Sequence, residues 1–145
     1  MNTTLYRANF GLEPSIRTTI QSKPTDITNH RLEPSDYSVT FTVILSDGKW
    51  TTIPERSLQA TNPRLVYAYW NSFAGGRCAV TRYDMWHPFN ILGHRKSKTG
   101  SDILYKVQWV GYNKKEATWE TGQHLAAMSG ELKQAYDEAN HPQQR

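Results

Sequence analysis

Three aromatic residues, Trp86, Trp109 and Tyr112, are spaced so that a small curved three-stranded sheet could bring them to one rim. Trp86 precedes one expected strand, Trp109 closes the next, and Tyr112 sits in the turn that follows. Three rings around a void attract a quaternary ammonium through their negative π faces, at about 0.5–2 kcal/mol per contact. The low figure for each ring amounts to roughly 1.5 kcal/mol, about tenfold in affinity. Selectivity then needs a further group, and Glu116, just past Tyr112 in the chain, is an acid placed to supply it. The same residues also fit a plain core, with Trp109 inside a sheet and Trp86 anchoring a linker. Spacing alone leaves both open.

Other chemistries find little support. The histidines at 30, 87, 94, 124 and 141 form no HExxH, and the lone Cys78 forms no CxxC, so neither a metal nor a cofactor is expected. Gly75-Gly76 is not followed by the Lys-Ser or Lys-Thr of a phosphate loop. Nothing in the order of Ser, His and Asp suggests a triad, and no enzyme is expected. The run His94-Arg95-Lys96-Ser97-Lys98 offers Arg95, Lys96 and Lys98 as phosphate contacts, joined by Lys114 and Lys115, or is a solvated turn.

The chain of 145 residues is 37% hydrophobic, 12% aromatic and 21% charged, a composition that folds. Its net charge of +4 is compatible with nucleic acid or chromatin. One cysteine excludes an internal disulfide framework and favours a reducing compartment. The start Met-Asn-Thr-Thr-Leu-Tyr-Arg has no apolar signal core, and no apolar run approaches the roughly 20 residues of a membrane span. An intracellular protein is expected.

These residues need elements to hold them. Residues 1–37 read mostly as loop, with one strand around 15–20. Alternation in Val39–Leu45 predicts a strand, Asp47-Gly48 a hairpin turn, and Trp50–Ile53 the returning strand. Asn62-Pro63 opens a helix through Leu65, Val66, Tyr69, Trp70 and Phe73, which Gly75-Gly76 ends. Further strands are expected at Ile91-Leu92, Ile103–Val110 and Ala117–Glu120, with a polar turn over Lys96–Asp102. Tyr105, Val107 and Trp109 share one strand face. Ser129-Gly130 precedes a last helix with a stripe of Leu132, Ala135, Tyr136 and Ala139. The halves align: Leu58, Leu65 and Tyr69 recur in spacing as Leu125, Leu132 and Tyr136, and Phe41-Val43-Leu45 lies over Tyr105-Val107-Trp109. This order of strand, strand and helix favours duplication, with the three-ring set in the second copy only.

The segment Trp86–Pro142 resembles a chromodomain. The resemblance rests on Tyr105-Lys106-Val107-Gln108-Trp109-Val110-Gly111-Tyr112, then Ala117-Thr118-Trp119-Glu120, Leu125 and the helix Glu131–Tyr136. It implies an α+β unit, a three-stranded antiparallel sheet on a C-terminal helix, that reads methylated lysine on the histone H3 tail in heterochromatin and gene silencing. The family's cage then falls on Trp86, Trp109 and Tyr112, with Glu116 the acid beside it. The peptide would enter as a strand between the segment after Trp86 and the stretch near Leu125, with Glu120 and His124 as contacts and Trp119 in the structural core. Pro88, which has no amide hydrogen, and Ala126, which replaces a polar residue, lie along that path.

Residues 36–74 are similar to the chromo shadow domain of the heterochromatin protein 1 class, through Trp50–Leu58 and Asn62–Trp70. That implies a dimer or partner surface at Tyr67, Trp70 and Ala74, although Ala74 replaces a Leu and Gly76 stands where a Trp is usual. The expected organisation is an arm (1–35), a shadow-like domain (36–74), a linker (75–84) and a chromodomain (85–142) in a nuclear chromatin protein. The expected partners are a methylated H3 tail and a second copy or silencing protein. The alternatives are an RNA- or DNA-binding chromodomain, or a protein scaffold with a vestigial cage.

Overall fold

In the computed structural model, which describes residues 22–142, β1 (Pro24–Glu33) pairs antiparallel with β2 (Ser38–Leu45), and β2 with β3 (Trp50–Pro54). The strand expected around 15–20 lies outside the described residues. Alternation in β2 turns Val39, Phe41 and Val43 into the core. Gly48, at φ 85°, closes the hairpin with its N–H on Leu45 O at 2.9 Å.

β1 corrects the reading of residues 24–33 as loop. Its register slips between Pro24 and Asp26 and again between Ile27 and Asn29. Each bulge removes the period of two that would have betrayed the strand.

Three helices follow, α1 (Glu55–Thr61), α2 (Pro63–Asn71) and α3 (Gly76–Thr81). α2 starts at Pro63 as expected, but the Asn62 side chain caps nothing. Its backbone N–H instead closes the unexpected α1, on Leu58 O at 2.7 Å. Nor do the glycines end α2, which is capped by Ser72. Gly75, at φ 80°, turns the chain into α3, so the segment read as a linker is partly helical.

The second sheet runs β4 (Pro88–Lys96), β5 (Ile103–Trp109) and β6 (Thr118–Thr121), followed by α4 (Gly122–Asn140). The last helix, expected to follow Ser129-Gly130, begins already at Gly122 and only bends at Ser129. Ala135 and Ala139 are exposed, so its inward stripe is Leu132 and Tyr136.

The sheets share one register. Pro24↔Leu45, Ile27↔Val43 and His30↔Phe41 reappear as Pro88↔Trp109, Ile91↔Val107 and His94↔Tyr105, with bulges at the same places. His30 Nδ1 meets the Tyr69 hydroxyl at 2.6 Å, and His94 Nδ1 meets that of Tyr136 at 2.7 Å. Leu58 and Leu125 are both fully buried under their sheets. Truncating either to Ala removes core that typically stabilises by about 2–5 kcal/mol.

Candidate functional site

The second core ends in three touching rings. Trp86 lies 6.0 Å from Trp109, nearly edge-on at 69°, and 4.8 Å from Tyr112, tilted 34°. Pro88 opens β4 opposite Trp109, a place where the missing amide costs no interior ladder bond, and this brings Trp86 back over β5. Val110 N donates to His87 O at 2.9 Å and holds that return in place.

Trp109 is not a rim residue in the simple sense. It is 5% exposed and packs with Ile91, Val107 and Leu125, so the core reading describes it as well. Its indole Nε1 donates to Thr118 Oγ1 at 2.9 Å, and Thr118 donates to Glu120 Oε2 at 2.7 Å. The other Glu120 oxygen accepts from His124 Nδ1 at 2.6 Å, His124 itself being largely exposed. Glu120 and His124 are thus tied by hydrogen bonds to the ring they were expected to flank.

Tyr112 is half-buried and held from behind. Its hydroxyl meets Cys78 Sγ at 2.8 Å, and the Arg77 guanidinium lies 5.5 Å from its ring centre. Burial, reinforced by Cys78, pushes the phenol well above its ordinary range, so it stays neutral. Glu116 is exposed on a single 3-10 turn and lines a recess of about 170 Å³ with Tyr112, Trp70, Arg77 and Cys78.

Other expected residues lie elsewhere. Ala126 borders a concavity with Asp102, Ile103 and Thr121, at the end of the sheet opposite Trp109, so it does not join the rings. Trp119 is 37% exposed and not in the core; Arg95 covers its outer face at 4.1 Å. Lys96 ends β4 and Lys98 lies exposed in the next turn. Trp70, expected on a partner surface, is 2% exposed and donates its Nε1 to Glu55 Oε2 at 2.7 Å. Tyr67 is half-buried with its hydroxyl taken by Gln59 and Gln108, and Ala74 alone of the three is exposed.

Residues 86–139 match the model of the Chromo (CHRromatin Organisation MOdifier) domain. A Chromo domain is found here. It embraces β4–β6 and nearly all of α4, and its first residue is Trp86. No curated protein matches the chain. A Chromo domain points to a nuclear chromatin protein and to reading of methylated histones in general, by binding rather than by catalysis.

Sequence reasoning missed the residues that brace this Chromo domain from the first half. Gln59 and Gln108 are 1% and 2% exposed, and Glu55 and Arg77 form a buried pair at 2.8 Å. Gln108 sits on the strand face opposite Tyr105, Val107 and Trp109, where a glutamine reads as solvated. Its burial depends on Tyr67, far away in the chain, and no local pattern carries that signal.

Proposed function

We propose that the Chromo domain reads trimethylated lysine on the histone H3 tail, with Trp86, Trp109 and Tyr112 as an aromatic cage and Glu116 as the nearby acid. The mark of heterochromatin is its first candidate. The observation that carries the reading is the meeting of these three rings at one end of β5. A cation is held within about 6 Å of each ring centre. At 4.8 Å, Trp86 and Tyr112 leave no room between them, so one ring has to move. Trp109 is fixed through Thr118 and Tyr112 through Cys78 and Arg77, whereas Trp86 follows the exposed Asp84-Met85. Trp86 is therefore the wall that swings out to admit the methylammonium. Among the described residues β4 pairs with β5 alone, so its outer edge offers backbone for the peptide to pair with, while Glu120 and His124 reach the cage through Thr118 and Trp109.

The first half serves as a scaffold, and its shared register with the second favours duplication of one chromo-like unit. Its partner role is internal, because Trp70 and Tyr67 face residues of this same chain. Leu45 stands in the register position of Trp109, so this copy has no cage.

Titration of the full chain with trimethylated and unmodified H3-tail peptides tests the reading. Trp86→Ala is the variant of choice, because Trp109 is also core. The methylated peptide should bind at least about tenfold more tightly, and Trp86→Ala should erase the difference. Equal binding of both peptides by the native chain would refute it.

A further inference from the structure

We infer that the methyllysine site is composite: α1, α2 and α3 of the first half position the walls that the Chromo domain presents. The inference rests on the cage reading above and adds Gln59, Arg77 and Tyr67 to it as positioning residues.

Gln59 of α1 reaches across to the turn that links Trp109 to Tyr112. Its Oε1 accepts from Gly111 N at 2.7 Å, and its Nε2 lies 3.2 Å from Tyr112 O and 3.5 Å from Trp109 O. Gln108 completes the clamp from the Chromo side, donating to Tyr112 O at 3.0 Å and to the Tyr67 hydroxyl of α2 at 2.9 Å. Both amides are buried, so the turn has no water to exchange them for, and its conformation is set by the other half.

Beneath that turn lies the Glu55–Arg77 pair. Arg77 Nε and Nη2 donate to the two Glu55 oxygens at 2.9 and 2.8 Å. Arg77 Nη1 is the buried side-chain polar atom without a hydrogen-bond partner among the described residues. Its guanidinium lies 5.5 Å from the Tyr112 ring centre and 5.8 Å from that of Trp70, so the π faces compensate what no acceptor does. Burial disfavours the Arg77 charge, and Glu55 outweighs it, so the arginine stays protonated. Glu55 also neutralises Arg77 behind a ring meant to receive a second cation, which would otherwise be repelled.

The backbone just past Trp86 is gripped in the same way, which leaves the Trp86 side chain to turn about it. Arg56 Nη2 donates to Pro88 O at 2.9 Å, and His87 Nε2 donates to Asp36 O at 2.7 Å. The first half therefore touches the backbone on both sides of the ring cluster while, among the described residues, adding no ring to it.

Full-length Gln59→Leu tests this with two readouts. Amide exchange without ligand should speed up about tenfold at Gly111, which loses its acceptor, and leave Tyr105 and Val107 of β5 protected. Affinity for the trimethylated H3 peptide should fall about tenfold, with binding of the unmodified peptide unchanged. Tyr67→Phe, which removes one bridging hydroxyl and keeps the ring, should shift both readouts the same way by less, and it decides the matter if Gln59→Leu fails to fold. Unchanged exchange at Gly111 together with unchanged peptide affinity would overturn the composite site. A native chain indifferent to methylation sinks the cage reading instead, and Gly111 exchange still decides whether the first half sets the turn.

Discussion

At the scale of single residues, each half pairs a histidine of its first strand with a tyrosine of its helix, and His30 is the one packed among rings. It lies against Tyr69, Trp70 and Phe73 at 5.3–5.9 Å. That burial lowers its imidazole below the ordinary 6.5, against a smaller upward pull from Glu55. As pH falls, the unfolded chain takes up this proton before the folded one does, so protonation favours unfolding. Stability should hold above the ordinary histidine value and decline as pH drops through about 6.5 toward the lowered folded value. Urea midpoints between pH 8 and 5 would measure the slope, and His30→Gln should flatten it. Asp36 and Asp47, lowered mainly by hydrogen bonds from Ser38 and Lys49, act in a separate window. Their contribution is complete above 3.8 and is lost only as pH falls below it.

At the scale of elements, the turn Val110–Tyr112 is held from both halves. Gly111 has φ 88°, and a Cβ there would collide with Arg77 Nε and Cδ and with Glu55 Oε2. Left-handed backbone costs a residue with a side chain about 1–2 kcal/mol, and displacing a buried ion pair adds to that. Gly111→Ala should destabilise by more than about 2 kcal/mol. Gly130→Ala, which meets open space in α4, should be neutral or stabilising by up to about 1 kcal/mol. Chemical denaturation of both variants checks the contrast. The second half was legible because β5 keeps most of its alternation and its motif is local, whereas β4, bulged like β1, showed only Ile91-Leu92 of its full length. β1 was not legible as an alternating strand, yet a different signal was there to be read: Pro24, Ile27, His30 and Arg31 recur in the same spacing as Pro88, Ile91, His94 and Arg95. Doubled bulges hide a strand from a test for period two and leave intact a test for repetition. Of the expected partner face of α2, Trp70 turns inward within this chain and Ala74 is exposed. Helical spacing shows that Trp70 is apolar-facing, and it cannot distinguish a second chain from the rest of this one.

At the scale of the molecule, each half is a sheet with few helices and about 60 residues, a size at which a lone core is marginal. The junction adds what neither half has alone. Val110 and Gly111 are buried against it, Tyr83 joins the first core and donates to Ser38 O at 2.9 Å, and Gln59, Gln108 and the Glu55–Arg77 pair are sealed within it. Opening the junction without unfolding either sheet would wet this whole set at once and leave each half with only its own small core. Such a state should be poorly populated, and the two sheets should unfold together. Amide exchange under increasing denaturant measures this directly. The β2 amides of Phe41 and Val43 and the β5 amides of Tyr105 and Val107 should converge on one opening free energy. Arg77→Met, which leaves Glu55 buried and unpaired at the junction, should lower that value for both strands together, by about 3–5 kcal/mol. Two separate plateaus, with only β2 responding to Arg77→Met, would mean that the halves are independent and that the junction merely rests between them.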